Sequence, residues 1–302
     1  MNDLGGLIVA LAGTAAGAQV ALALALMSAL MHAIFGALQK GRHDPWLSRG
    51  AIDLCILLMA LPVGLWAVPH PQGAEWLILI GAAAIQLTYK VAMALAYSRA
   101  AFSVVYPVTR GMGPLATGVF AGLFLAEHFN LWQWVGVLML SGAILGLSAL
   151  NLRAEQLAPR VVRHGLIWAV AAGILVAVYT TYSAWGIRQT ANPFTYLVWF
   201  FVMTALDMPM VLAVRAWRGG LPPVMPLALR GLAGALLAFA SFGGVMLACR
   251  LVPVGQAAVL RETSSVFAAL IGWAFLGDTV GPVRMVAVVL IALGAVIVQI
   301  AA

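Results

Sequence analysis

The sequence predicts an all-α integral membrane protein, and three observations carry this prediction. Of the 302 residues, 64% are hydrophobic and only 8% are charged, and the mean hydropathy is +1.05. A water-soluble domain carries about 25% charged residues, so a soluble fold of this composition would leave apolar surface uncovered. Apolar runs of about 20 residues, the length needed to cross a bilayer, follow one another with short polar connections.

Ten of these runs are long enough to span a membrane. Glycine, proline and small residues inside them would mark loops in a soluble protein, but they are frequent in membrane helices. We expect spanning helices at 18–39, 49–69, 75–98, 102–125, 130–151, 165–187, 193–215, 227–249, 253–276 and 279–301. At the turns between them, we expect helix caps from Asn130 with Gln133, from Glu127 and from Asp278.

Several function classes are disfavoured by residues that are missing or scattered. The net charge of +7 comes from 16 Lys and Arg residues that form no basic stripe, so no nucleic acid partner is expected. The two cysteines match no metal or redox spacing, and no nucleotide-binding GxxxxGK[ST] loop occurs. We expect neither a metal nor a cofactor. An integral-membrane enzyme remains an alternative that lacks a histidine cluster or an Asp/Glu-rich motif.

The two halves of the sequence resemble each other at an offset of 151 residues. PVTRGMGPLATGVFAGLFLAE (107–127) resembles VLRETSSVFAALIGWAFLGD (259–278), with Arg110 on Arg261 and Glu127 on Asp278. Because five spans per half is an odd number, the halves must have opposite orientations in the membrane. Inverted repeats of this kind are typical of secondary transporters. We expect a first repeat at 1–151, a connecting loop at 152–164 and a second repeat at 165–302, arranged around a central cavity.

Two motifs carry a family resemblance. YPVTRGMGPL (106–115), LRETSSVFAALIGWAFLGD (260–278) and the five-plus-five spans resemble the drug/metabolite transporter superfamily, in particular its ten-helix EamA-type exporters and their aromatic amino-acid exporter branch. The resemblance covers the chain from residue 18 onward. It implies export or exchange of small metabolites by alternating access across a bacterial inner membrane. The motifs say little about the substrate.

Four ionisable residues lie deep inside predicted spans, and a fifth lies at intermediate depth. These are Lys90, Arg110, Arg261 and Glu262, with Asp207 at intermediate depth. A charge in the bilayer costs about 2.5–3.5 kcal/mol on insertion scales, so such residues face the bundle interior or a wet cavity. A structural ion pair of Glu262 with Lys90 or Arg110 is one explanation. It leaves a surplus of one positive charge, which favours a substrate with a carboxylate or phosphate.

The fourth predicted span contains four residues that weaken a helix. Pro107 and Pro114 lack a backbone N–H, and Gly111 and Gly113 add flexibility. We expect them to form a hinge between outward-open and inward-open shapes. The alternative is close helix packing through small residues.

Polar and aromatic residues complete the predicted pocket. Gln86 and Lys90 are four residues apart on one helix face, and Tyr179 and Tyr182 are three apart. The histidine at 32 is expected to be packed rather than proton-coupling. We predict that substrate contacts also come from Gln86, Tyr89, Tyr106, Tyr179, Tyr182 and Trp199.

These features predict a secondary active transporter that exports small metabolites, amino acids first among them. The substrate carboxylate would lie near Lys90, Arg110 or Arg261, and its ammonium group near Glu262. Alternatives in the same fold are an exchanger of phosphorylated metabolites and a drug exporter. The partners are a small-molecule substrate and the lipid bilayer; a coupling proton and a monomeric state are left open.

The distribution of basic residues predicts the orientation. Arg188 and Arg250 lie on one side, and the opposite connections carry the remaining basic residues near span ends. The positive-inside rule then places both termini outside, whereas the family resemblance implies that both are inside. The basic connections contain Lys40, Arg42, Arg49, Arg99, Arg153, Arg160, Arg163, Arg215, Arg218 and Arg284.

Overall fold

The computed structural model describes residues 1–39, 44–99, 102–154, 159–219, 223–275 and 281–302. These residues form α-helices and one π-helical turn, and no strand occurs among them. The helices are α1 (Asn2–Leu11), α2 (Ala15–Gln39), α3 (Pro45–Trp66), α4 (Ala74–Tyr97), α5 (Phe102–Leu125), α6 (Leu131–Ala154), α7 (Pro159–Gln189), α8 (Pro193–Thr204), α9 (Asp207–Gly219), α10 (Val224–Ala238), α11 (Gly244–Leu251), α12 (Val254–Glu262), α13 (Ser264–Phe275) and α14 (Pro282–Ile300).

Ten stretches of the described chain are long and apolar enough to cross a membrane, which confirms the predicted spans. Two features were not predicted. A short helix, α1, precedes the first span, and three spans are interrupted. The seventh span consists of α8 and α9, the eighth of α10, the π-helical turn Phe239–Gly243 and α11, and the ninth of α12 and α13.

Local hydrogen bonds explain two of the interruptions. At the start of α9 the Asp207 Oδ1 atom accepts a hydrogen bond from the Met208 N–H at 2.8 Å, and Pro209 has no N–H to continue the preceding helix. At the end of α12 the Thr263 hydroxyl donates to the Leu260 carbonyl at 2.6 Å. Such side-chain bonds compete with the helical hydrogen-bond ladder. Only two residues separate α8 from α9, and one residue separates α12 from α13.

The helices pack as two compact units. The first contains residues 1–84 and 186–251, and the second contains residues 85–185 and 252–302. Each unit therefore combines segments from both halves of the sequence. The repeats predicted at 1–151 and 165–302 are based on sequence similarity, whereas these two units are defined by packing. The repeats therefore stay a prediction.

In the first unit, α2 packs against the π-helical turn and α11. The Ser28 hydroxyl donates to the Ser241 carbonyl at 2.5 Å, and a Cβ on Gly244 would lie 3.1 Å from the Leu24 carbonyl oxygen. The π-helical turn also places Phe242 in a stack with Phe200 of α8, with ring centroids 4.5 Å apart. The interrupted spans are thus closely packed.

In the second unit, α6 packs against α14 and α5. A Cβ on Gly136 would lie 2.6 Å from the Gly294 carbonyl oxygen, and a Cβ on Gly294 would lie 2.6 Å from the Gly136 carbonyl oxygen. Small residues allow two backbones to approach this closely. The buried cluster around this contact contains Val137, Leu140, Ala143, Ile144, Val259, Ala287, Ile291, Ala295 and Val298.

Two of the predicted helix caps are present. The Asn130 Oδ1 atom accepts from the Gln133 N–H, and the Gln133 Oε1 atom accepts from the Asn130 N–H, both at 2.9 Å. This reciprocal arrangement is a capping box and confirms the prediction. Glu127 accepts from the Val254 N–H at 2.7 Å and thereby caps α12. The predicted cap at Asp278 lies outside the described residues.

Candidate functional site

An ion pair joins α5 to α12 inside the second unit. Arg110 Nη1 lies 3.1 Å from Glu262 Oε1, and the two side chains are only 14% and 6% exposed. Glu262 is the last residue of α12 and lies near the middle of the Val254–Phe275 span. The predicted structural pairing of Glu262 with Arg110 is therefore present.

This ion pair leaves charged atoms without a partner. Glu262 Oε2 and Arg261 Nε are buried, and neither has a hydrogen-bond partner among the described residues. A buried donor or acceptor without a partner costs about 1–3 kcal/mol, and more when it is charged. One anionic acceptor and one cationic donor, on consecutive residues, thus have no hydrogen-bond partner in the described part of the chain.

The interruption after Glu262 positions these two residues. Because α12 ends there and α13 begins at Ser264, Arg261 and Glu262 occupy the last turn of a short helix in the membrane. Discontinuous helices frequently form the substrate sites of secondary transporters. The other end of α12 is fixed by the Glu127 cap and by a hydrogen bond of 2.8 Å from Gln256 Nε2 to Gln299 Oε1.

Close packing between α5 and α7 positions Arg110. The Thr109 hydroxyl donates to the Ala169 carbonyl at 3.1 Å. A Cβ on Gly173 would lie 2.6 Å from the Cβ of Met112, so the glycine is required for this approach of the helices. Arg110 therefore extends from a helix that is fixed against its neighbour.

An aromatic pair lies close to the charged residues. The rings of Tyr89 on α4 and Tyr179 on α7 are 5.2 Å apart at an interplanar angle of 57°, and Arg110 and Arg261 both interact electrostatically with Tyr89. Gln86, one turn before Tyr89, has a buried Oε1 atom without a partner among the described residues. The two tyrosines thus lie near the buried arginines of the second unit.

Other residues singled out from the sequence lie elsewhere in the two units. Lys90 is half-buried beside Tyr89, and Tyr182 packs on Trp185 with ring centroids 5.5 Å apart. Trp199 and Asp207 belong to the first unit. There the Trp199 ring lies edge-on to Trp76 at 5.0 Å.

The predicted hinge lies in a helix without an interruption. α5 continues through Gly111, Gly113 and Pro114, and the side chains of Tyr106 and Pro107 lie outside the described residues. A Cβ on Gly111 would lie 2.7 Å from Leu145 Cγ, which favours the packing explanation at this position. The interruption occurs instead at Thr263, the residue that the 151-residue offset places on Met112. A hinge motion of α5 stays a prediction.

Two polar residues of α7 were missed by the sequence reasoning. The hydroxyls of Thr181 and Ser183 are buried and have no partner among the described residues. They flank Tyr182 in the same unit as Tyr179. The signal was present in the sequence as the polar run TTYS (180–183) inside an apolar span.

Comparisons with known proteins agree with this description. Residues 163–300 match the EamA-like transporter family. A solved structure, described only as the crystal structure of a protein, is 18% identical, covers 93% of this chain and 99% of its own chain, and has a TM-score of 0.74, which shows a shared fold. No curated protein gives a significant match. The part of the chain from residue 163 to residue 300 is therefore similar to an EamA-like transporter domain.

Proposed function

We propose that this protein is a secondary active transporter that exports small zwitterionic metabolites, with amino acids as the first substrate class. The observation that carries the proposal is the Arg110–Glu262 ion pair with its unpartnered Glu262 Oε2 and Arg261 Nε atoms. A buried charge inside a membrane protein marks a functional site by default. Here one carboxylate oxygen and one guanidinium N–H both lack a partner among the residues that the structure describes.

The chemistry of an α-amino acid matches these two atoms. Its ammonium group supplies donors for Glu262 Oε2, and its carboxylate accepts from Arg261. Charge-assisted hydrogen bonds are about twice as strong as neutral ones. Gln86 Oε1 is a further buried acceptor for an ammonium donor. A substrate with both charges also leaves the net charge of the site unchanged, which limits the cost of moving it across the bilayer.

The neighbouring side chains favour an amphipathic substrate. The Tyr89 and Tyr179 rings supply an aromatic surface, and aromatic pairs contribute about 0.5–1.5 kcal/mol beyond their buried area. The hydroxyl of Thr181 is a buried hydrogen-bonding group on the helix of Tyr179. Together these residues suit an amino acid whose side chain is apolar or aromatic.

Alternating access between inverted repeats is the mechanism we propose. The α6–α14 contact supports it, because equivalent positions at the 151-residue offset meet in one buried cluster, as Leu140 does with Ile291 and Ile144 with Ala295. In a two-fold interface the same surface of each partner is used. Inverted-repeat transporters move one group of helices against another around a fixed site.

A second substrate class is also supported by a specific observation. Asp207 lies in the first unit, so Glu262 is the one predicted carboxylate that shares a unit with Lys90, Arg110 and Arg261. Three cations against one carboxylate suit a phosphorylated metabolite. Exchange of sugar phosphates is therefore the alternative.

Exchange in proteoliposomes tests both classes. The purified protein would be reconstituted into liposomes, and exchange of labelled amino acids, sugar phosphates and organic cations would be tested one solute at a time. Counterflow would be measured for the wild type and for Arg110→Ala. Arg218→Ala is the control, because Arg218 is exposed at the end of α9 in the first unit. Saturable amino-acid exchange that is lost in Arg110→Ala and retained in Arg218→Ala is the expected result.

The other outcomes have distinct consequences. Exchange limited to phosphate esters would replace the substrate class, and exchange unaffected by Arg110→Ala would remove the proposed site. Absence of exchange for every solute, in folded protein, would contradict the transporter proposal and return attention to an enzymatic role.

We further propose a cytoplasmic membrane location with both termini outside, on the strength of the basic connections. A cysteine introduced at Ala302, in a variant with Cys55 and Cys249 replaced by alanine, tests this orientation. Labelling of intact cells by an impermeant maleimide is expected. Labelling only after the membrane is opened would reverse the orientation.

A further inference from the structure

Two arginines meet at one end of the first unit. Arg188 is in the last turn of α7 and Arg250 is in the last turn of α11. Arg188 Nε donates to the carbonyl of Cys249, the residue before Arg250, at 2.9 Å. The two guanidinium groups are close enough to interact electrostatically. Both residues lie next to the ends of membrane spans, at Gln189 and Leu251, where lipid headgroups begin.

The arginine on α7 has a structural explanation. A cation at the carboxyl end of a helix interacts favourably with the helix dipole and with the last carbonyl groups, and Arg188 does so with Cys249 of α11. This accounts for Arg188 alone. A second cation beside the first is repelled by it, and this repulsion grows as solvent is excluded.

The arginine on α11 is not neutralised by the described protein. Arg250 forms no ion pair among the described residues, and Arg188 is the charged group that acts on it. Its Nε atom is buried and has no hydrogen-bond partner among the residues that the structure describes. A half-buried guanidinium with an unused donor and a like-charged neighbour is a favourable position for an anion.

We propose that Arg250, supported by Arg188, forms an oxyanion site that binds a phosphate group at the membrane surface. The planar guanidinium fork matches the geometry of phosphate oxygens and binds them through two parallel hydrogen bonds. Basic pockets between membrane helices bind anionic lipid headgroups, so the phosphate of an anionic phospholipid is one source. A soluble phosphate is the other. The site belongs to the first unit, whereas Arg110 and Glu262 belong to the second, so it does not depend on the proposed transport function.

Lipid binding in nanodiscs tests the proposal. Wild type, Arg250→Gln, Arg250→Lys and Arg218→Gln would be placed in phosphatidylcholine nanodiscs with and without phosphatidylglycerol. Retained lipid would be measured by native mass spectrometry, and the midpoint of thermal unfolding would be measured by intrinsic fluorescence. Arg218→Gln is the matched control, since it removes an equal charge from an exposed position of the same unit.

The expected result is about tenfold weaker phosphatidylglycerol binding in Arg250→Gln, as for the loss of one charge-assisted contact, with wild-type binding in Arg218→Gln. Arg250→Lys keeps the charge and loses the fork, so its binding should also weaken; it serves as the test if Arg250→Gln does not fold. A parallel arm adds inorganic phosphate to phosphatidylcholine nanodiscs. A rise in the wild-type midpoint that is absent in Arg250→Gln would identify a soluble ligand. If neither lipid nor phosphate distinguishes the Arg250 variants from the wild type, the proposal is wrong.

Discussion

Arg110 and Glu262 are 152 positions apart in sequence, yet Arg110 Nη1 donates to Glu262 Oε1 at 3.1 Å. The contact joins an uninterrupted span, α5, to the last turn of the short helix α12. Both side chains are largely buried, and each charge is neutralised by the other. The pair therefore avoids the cost of an isolated charge inside the membrane. One oxygen of Glu262 nevertheless stays unpartnered among the described residues, so the carboxylate has one paired and one unpaired oxygen atom.

Removing one member of this pair should destabilise the protein more than removing both. Arg110→Met or Glu262→Leu alone leaves an uncompensated buried charge, and we expect a loss of about 3–5 kcal/mol in the free energy of unfolding. The double variant Arg110→Met/Glu262→Leu should return close to wild-type stability, because both charges are gone. Unfolding in detergent micelles measures all three values.

The control for this cycle is an exposed ion pair. Arg215 Nη1 lies 2.6 Å from Asp44 Oδ2, but the side chains are 44% and 35% exposed. Exposed pairs contribute about 0–1 kcal/mol, so Arg215→Met should change stability little. Additive losses in the Arg110/Glu262 double variant would contradict the coupling between the two residues.

The contact between Gly136 and Gly294 should not tolerate a methyl group. A Cβ at either position would lie 2.6 Å from a backbone carbonyl oxygen of the other helix, and backbone atoms cannot move aside cheaply. We expect Gly294→Ala to destabilise the protein by about 1–3 kcal/mol. Gly142→Ala on α6 is the control, because nothing lies within 4 Å of a Cβ there. Thermal unfolding in nanodiscs that ranks the two variants equally would contradict this account of the α6–α14 contact.

The positions of the spans were predictable because bilayer thickness fixes their length and lipid fixes their composition. The capping box at Asn130 and Gln133 was also predictable, since its partners are three residues apart. The interruption at Thr263 was not. It depends on a side-chain bond to Leu260, in a sequence without glycine or proline at that point. Conversely, Gly111, Gly113 and Pro114 weaken a helix in isolation, yet α5 continues through them.

The buried ionisable residues of the candidate site were predictable from the sequence, but their contacts with one another were not. Ionisable residues deep in an apolar span indicate function wherever they occur, which identified Arg110, Arg261 and Glu262. Which carboxylate meets which cation depends on helix packing, and no spacing in the sequence encodes a contact between positions so far apart. The same limit applies to Trp199, whose unit is determined by tertiary contacts.

Loss of the cap on α12 should reduce transport as well as stability. Glu127→Gln weakens the hydrogen bond to the Val254 N–H and removes a negative charge from the helix amino terminus, at an expected loss of about 0.5–2 kcal/mol. Because α12 carries Arg261 and Glu262, exchange should fall with it. Glu75→Gln is the control, since Glu75 accepts a comparable bond from the Gln72 N–H at 2.9 Å in the first unit. Equal transport by both variants would show that the cap does not position the site.

The Tyr89–Tyr179 pair should determine how strongly an aromatic substrate side chain is preferred. Tyr179→Phe keeps the ring contact, so the KM for phenylalanine should stay close to the wild-type value. Tyr179→Ala removes the ring and should raise this KM about 2- to 10-fold, with a smaller change for alanine as substrate. Proteoliposome exchange with both amino acids measures the difference. An equal rise for the two substrates would indicate loss of packing rather than loss of an aromatic contact.

Substitutions at two glycines of α5 distinguish a hinge in this helix from simple helix packing. A Cβ on Gly111 would lie 2.7 Å from Leu145 Cγ, whereas a Cβ on Gly113 would meet Val176 Cγ1 at an ordinary 3.5 Å. Gly111→Ala should therefore destabilise the protein by about 1–3 kcal/mol, and Gly113→Ala should fold with unchanged or slightly higher stability, since alanine is the better helix former by about 1 kcal/mol. If α5 bends during transport, Gly113→Ala should lower the exchange rate severalfold without a loss of stability. An unchanged rate in this variant would assign both glycines to packing, because the one substitution that stiffens the helix without a clash would then leave the transport cycle unaffected.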